Sequence, residues 1–250
     1  MTSEQSSGAG GGCGAGGDVF ATTQWTVVLA AGQQHTPQSD QALEQLCRSY
    51  WYPLYAYVRR QGYAKEDAED LTQAFFARFL AKNYLAGLAA ERGRFRAFLL
   101  ASLKHFLVNE WKRSQAQKRG GGEVPLSLDW ETADTKFQVA GTEPSPDRAF
   151  DREWALALLA RVIGRLEADC AAEGKAKVFA QLKVFLQAGS GESAQAEVAR
   201  SLGMEEGAVR VAVHRLRKRY RVLLREEIAQ TLADESLVDE ELRALFGAFA

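Results

Sequence analysis

Arg210, His214, Arg215, Arg217 and Lys218 crowd one short stretch of chain, and no acid interrupts the run from Arg210 to Arg221. Guanidinium and ammonium groups at this density suit a polyanion, because each neutralises a phosphate or reaches a guanine edge. A second group of cations, Lys112, Arg113, Lys118 and Arg119, lies a hundred residues upstream. Carboxylates collect elsewhere, at Glu66, Asp67, Glu69 and Asp70 and again from Asp234 to Glu241, where they would repel phosphate. Paired carboxylates can do acid–base work, but here no His or metal partner stands near them, so an enzyme is a distant reading. The plain alternative for the basic run is an amphipathic helix with a solvated charged face.

The elements around the basic run favour nucleic acid. Val198, Ala199 and Leu202 give a first helix an apolar side, Gly203 suits the left-handed residue that ends it, and Glu205 and Glu206 sit where a new helix dipole favours acids. Val209, Val213, Leu216 and Tyr220 then recur at helical spacing, which turns Arg210, His214, Arg217 and Arg221 to another side. Two short helices about a glycine, the second strongly basic, read as a helix-turn-helix.

The chain of 250 residues carries a formal net charge of −1, so any contact with nucleic acid comes from local segregation of charge. Cys13, Cys47 and Cys170 are odd in number and far apart, which fits a reduced, cytoplasmic protein better than a disulfide framework. His35, His105 and His214 lie in different segments and no CxxC occurs, so neither zinc nor any other cofactor is expected. No apolar run reaches the length of a membrane span, and no secretory signal opens the chain.

Five segments follow from the pattern. Residues 1–18 read as a disordered Gly- and Ser-rich leader, 19–117 as a helical domain, 118–147 as a Gly- and Pro-rich linker, 148–230 as the helix-turn-helix domain and 231–250 as an acidic extension. Strand-like alternation is missing, so the expected class is all-α, two small helical domains on a flexible linker. In the first domain, Thr22 or Thr23 would cap a short helix through Trp25 and Val28, and Pro53 would kink or divide the helical pattern of Gln41 to Gln61. Further helices are expected at Ala64 to Leu80 and Phe95 to Arg113. In the second domain, helices are expected at Ala149 to Leu166 and Lys175 to Gln187 before the helix-turn-helix. Leu242, Leu245, Phe246 and Phe249 form an apolar stripe in the tail that should dock back.

Two separated blocks resemble the bacterial sigma factors of the extracytoplasmic-function class. The run from Tyr63 to Leu80, with its DAEDLxQ pattern, and the run from Gly93 to Arg113, with FRxxL, are similar to sigma region two; Ala196 to Tyr220 is similar to region four. The resemblance implies a helix carrying Asp67, Asp70, Gln73 and Phe76 that docks on a coiled coil of the RNA polymerase clamp. It implies a second helix, with Arg94, Arg96, Lys104, His105, Asn109, Lys112 and Arg113, that holds the separated minus-ten promoter strand. It places the Arg210 to Lys218 helix in the major groove of the minus-thirty-five element, with Arg219, Arg221 and Arg225 on phosphate or solvent.

Departures from the family's pattern concern specificity. His105 stands where many relatives carry an Asn beside the flipped base, and Val211 replaces a small polar residue. Leu166 to Gly174 lacks the usual Leu-Pro turn, and both ends are extended. Phe98 and Trp111 read as core rather than as stacking surfaces. The resemblance thus implies a non-enzymatic subunit that binds polymerase core, recognises promoter DNA and helps open it, and it leaves room for an anti-sigma partner. The runner-up is an autonomous helix-turn-helix transcriptional regulator that never meets polymerase.

Overall fold

The computed structural model of the chain describes residues 24–31, 36–81, 94–116, 145–186 and 192–249. Their regular structure is helical, with one isolated antiparallel bridge between Arg94 and Leu232, so the described residues are all-α as expected. Before the linker come α1 (Gln24–Ala31), α2 (Pro37–Arg60), α3 (Lys65–Ala81) and α4 (Phe95–Ala116). After it come α5 (Pro146–Ala172), α6 (Ala176–Leu182), α7 (Glu192–Leu202), α8 (Glu206–Ala229) and α9 (Val238–Gly247), with 3-10 turns at Lys183–Leu186 and Glu235–Leu237. The leader, the Thr22 and Thr23 caps and most of the linker lie outside the described residues.

Local chemistry sets the helix ends. Thr36 and Ser39 form a reciprocal capping box at the start of α2: the Ser39 amide donates to the Thr36 hydroxyl and the Thr36 amide to the Ser39 hydroxyl. Pro53 sits inside α2, which runs on as one helix. The missing donor is offset by burial, since Leu54, Tyr55 and Val58 are wholly enclosed around it. Gly203 takes φ +63° and closes α7 with paired bonds, from the Met204 amide to the Ala199 carbonyl (2.9 Å) and from its own amide to Arg200 (3.3 Å).

The two expected helical units share one continuous core. Buried side chains from α1 to α4 and from α5 to α9 belong to a single cluster, and the Trp154 indole N–H on α5 donates to the Tyr50 hydroxyl on α2 at 3.2 Å. Trp25 lies at the centre of an aromatic group, 5.0 Å from Phe95 and 5.6 Å from Phe98, and Phe75 and Phe79 extend that group from α3 to α4.

A dipole match ties the units together. The first N–H groups of a helix lack intrahelical acceptors, and the last carbonyls lack donors. Here the Trp25 amide, at the start of α1, donates to the Gln230 carbonyl, and the Phe95 amide, at the start of α4, donates to Thr231 (3.1 and 3.0 Å). The carbonyl end of α8 thereby receives the amide ends of two helices, a favourable meeting of opposite partial charges. The expected docking of the tail is present in part: Leu245 is enclosed, while Phe246 and Phe249 remain exposed.

Candidate nucleic-acid interface

Helix α8 buries Val209, Val213, Leu216, Leu223, Leu224 and Ile228 along one side, as the spacing predicts. Arg210, His214, Arg215, Arg217 and Lys218 are all exposed, and Arg221 continues their stripe. Arg210, His214, Arg215 and Lys218 pair with no acid among the described residues. Arg217 is partly committed, since its Nε donates to the Phe185 carbonyl at 3.0 Å and closes the 3-10 turn after α6. Basic residues further along hold the fold: Arg219 bridges Asp169 (3.2 Å) and Glu173 (2.6 Å), and Arg225 pairs with Asp239. The stripe facing solvent therefore runs from Arg210 to Arg221 less Arg219, about 18 Å of helix at 1.5 Å per residue. Beside it, between α6 and the first half of α8, lies an apolar groove of about 620 Å³ walled by Val178, Phe179, Leu182, Met204, Val211 and Leu216.

The cations expected to meet a separated strand divide into two sets. His105, Asn109, Lys112 and Arg113 are exposed along α4, with Arg113 sharing Glu110 with Arg78. Arg94, Arg96 and Lys104 are instead engaged within the chain. Arg94 pairs with Glu240 at 2.6 Å and Glu241 at 3.5 Å. Arg96 pairs with Glu241 at 2.9 Å and with Asp151, and its guanidinium lies 4.2 Å from the Trp154 ring centre. Lys104 pairs with Asp147 and stands 5.6 Å from the Tyr57 ring. All three are thus paired within the chain, Arg94 and Arg96 with acids of α5 and α9 and Lys104 with Asp147, and a phosphate would compete with these pairs.

Electrostatics at this junction follow from burial against pairing. Burial pulls Arg96 down, but the hydrogen bond and charge of Glu241, with Asp151, outweigh it and hold the guanidinium above its ordinary value. Burial pushes the Asp151 carboxyl up despite Arg96 beside it. The hydrogen bond to Asp147 likewise raises Lys104, which stays cationic.

On α3, Asp67 and Asp70 are exposed one turn apart and Gln73 is half-buried. Phe76 is fully enclosed at 0% exposure, edge-on to Phe75, so the aromatic expected at a polymerase contact belongs to the core. Trp111 departs in the opposite sense: it is 59% exposed on α4, where a core position was expected, whereas Phe98 is buried as read. With Tyr57, Gln61, Tyr63, Lys104 and Lys112 it walls a cavity of about 500 Å³. An aromatic four residues beyond Leu107 on the same helix was the available signal, since Leu107 ends the buried stripe.

Among the described residues no group of His, Cys, Asp or Glu is placed to hold a metal ion, and no helix is long and apolar enough to cross a membrane. No family model, no curated protein and no solved structure matches the chain, so its geometry and its residue patterns carry the functional reading.

Proposed function

We propose that this chain is a promoter-specificity subunit of the sigma type: it docks on RNA polymerase core, engages two promoter elements and assists strand separation. The observation that carries the reading is the pairing, in one chain, of two oppositely charged faces. A stripe of cations, from Arg210 through His214, Arg215 and Lys218, is exposed on the second helix of a helix-turn-helix, and an acidic face, Asp67 and Asp70, is exposed on α3. The first suits DNA phosphates and base edges; the second suits a basic helix on a protein partner and would serve no purpose in contact with DNA. The exposed His105, Asn109, Lys112 and Arg113 add a polar path along α4 for a single strand.

A helix-turn-helix regulator independent of polymerase is the second reading. What favours it is the enclosure of Phe76 and the internal pairing of Arg94 and Arg96. Transcription in vitro with purified core polymerase over a randomised promoter library separates the two. Initiation that depends on this protein and enriches two spaced sequence elements supports the sigma reading. Duplex binding without any initiation supports the regulator.

A further inference from the structure

The groove between α6 and the first half of α8 leaves apolar surface open that closer packing of the two helices would have covered. Val178, Phe179 and Leu182 form one wall and Ala208, Val211 and Leu216 the other, with Met204 joining them at the turn before α8. Phe179, Leu182 and Leu216 are buried, whereas Val211 is 49% exposed and Val178 and Met204 are half-buried. Contiguous apolar surface left open to water marks an interaction site. At about 620 Å³ the groove falls within the range of small-ligand sites, roughly 300–1,000 Å³. Its shorter wall, α6, spans seven residues, about 10 Å at 1.5 Å per residue. A trough of that length takes an alkyl chain, and it is small beside the roughly 20–30 residues per side of a stable protein interface.

Charge at the rim narrows the chemistry of the ligand. Three cations reach the groove, Lys175, Arg215 and Arg219. Lys175 and Arg219 share Glu173, at 2.8 and 2.6 Å, and Arg219 also meets Asp169, so the end nearest α5 is neutralised within the chain. Arg215 is exposed and pairs with no acid among the described residues. An apolar trough with one uncommitted guanidinium at its edge suits an apolar chain with one anionic head, because the planar guanidinium donates two parallel hydrogen bonds to a carboxylate. A neutral head would leave that charge unused, and a cationic head would meet it with like charge.

We infer that the groove binds an alkyl carboxylate, its chain between α6 and α8 and its head group on Arg215. Arg215 also belongs to the solvent-facing stripe of α8, so the bound acid withdraws one cation from a duplex. Acid and duplex then compete for this side chain, and each weakens the binding of the other. The competition rests on the nucleic-acid reading of α8; the binding of the acid does not.

The test uses NMR of the full chain labelled with methyl-¹³C methionine. The chain has two methionines, and the signal that disappears in Met204→Leu is the reporter in the groove. Decanoate, kept below its micelle concentration, should move the Met204 signal saturably with one site per chain, and should bind about 10-fold more tightly than decan-1-ol, the share of the charged head group. Arg215→Gln should bring acid and alcohol within about 2-fold of each other. Val178→Glu, which sets a carboxylate among the apolar walls, should weaken decanoate by about 10-fold or more with the circular dichroism spectrum unchanged. On a labelled duplex, saturating decanoate should reduce the log–log salt slope of binding by about 0.9, one phosphate contact, and should have no such effect on Arg215→Gln. An unmoved Met204 signal overturns the proposal, as does equal binding of decanoate, decan-1-ol and decylammonium. A Met204 signal that moves with protein concentration instead makes the groove an interface between copies of the chain and overturns it too. A duplex slope that decanoate leaves unchanged overturns the competition. A chain that binds no duplex while Met204 still reports decanoate sinks the nucleic-acid reading and leaves this site standing.

Discussion

Arg96 and Glu241 lie 145 residues apart in sequence and 2.9 Å apart in space, and the carboxylate is only 1% exposed. Such a pair stays together because separation would leave a charge inside the protein without water or partner. It also fixes α9 against the start of α4, where Arg94 pairs with both Glu240 and Glu241. Glu241→Ala should therefore lower unfolding stability by about 3–5 kcal/mol, toward the lower end because Asp151 and the Trp154 ring still face Arg96. Urea melts with an unchanged m-value measure this directly. A loss under about 1 kcal/mol would show that water screens the pair as it does at a surface.

That pair also explains which features the sequence made legible. Val209, Val213 and Leu216 repeat at helical spacing on a helix buried along one side, so period alone identifies the covered face. Gly203 was readable because the left-handed conformation selects residue type locally. The pairing of Arg94 and Arg96 is not legible in this way, because a cation near other cations looks free until its acid arrives from a distant segment. Phe76 was ambiguous for a related reason: α3 packs against both α2 and α4, so two faces are covered and both Phe75 and Phe76 are enclosed. Tertiary partners, not local pattern, decide such positions.

Acid should loosen the C-terminal helix before the rest of the fold. The hydrogen bond from Arg94, then its charge, holds Glu240 below the ordinary value of 4.5, and Arg225 acts likewise on Asp239 below 3.8. A carboxyl depressed on folding contributes stability that is present above its ordinary value and is lost as pH falls through its lower, folded value. Amide exchange in α9 should thus accelerate relative to α2 below about pH 4.5, and Arg94→Ala should return the Glu240 titration to its ordinary range. Backbone amide NMR follows the exchange, and carbon-detected NMR of the side-chain carboxyl follows the titration. Equal acceleration in α9 and α2 would mean that the pairs do not act locally.

On α8, Lys218 and Arg219 adjoin in sequence but differ in role. Lys218 is exposed without an acidic partner among the described residues, whereas Arg219 joins α8 to Asp169 and Glu173 at the end of α5. Lys218→Ala should weaken duplex binding evenly across sequences and reduce the log–log salt slope by about 0.9. Arg219→Ala should leave that slope unchanged and lower the melting temperature slightly. Arg217→Ala should cost about 1–3 kcal/mol on the preferred duplex and relax its sequence preference. An equal loss on every duplex would reassign Arg217 to phosphate.

The acids and the aromatic on α3 respond to different measurements. Asp67 and Asp70 are exposed, so reversing both to Lys should change stability by no more than about 0.5 kcal/mol each, while weakening association with polymerase core in a salt-dependent way. Phe76 is enclosed against Phe75, so Phe76→Ala should cost about 3–5 kcal/mol of stability through the lost ring and the cavity it leaves. Where Phe76→Ala still folds, its core association should match wild type, because the ring presents no surface to a partner. Pull-down of core alongside a thermal melt of each variant separates the two effects. Unchanged pull-down by the doubly reversed variant would remove α3 as the docking face and, with it, the main support for a polymerase partner.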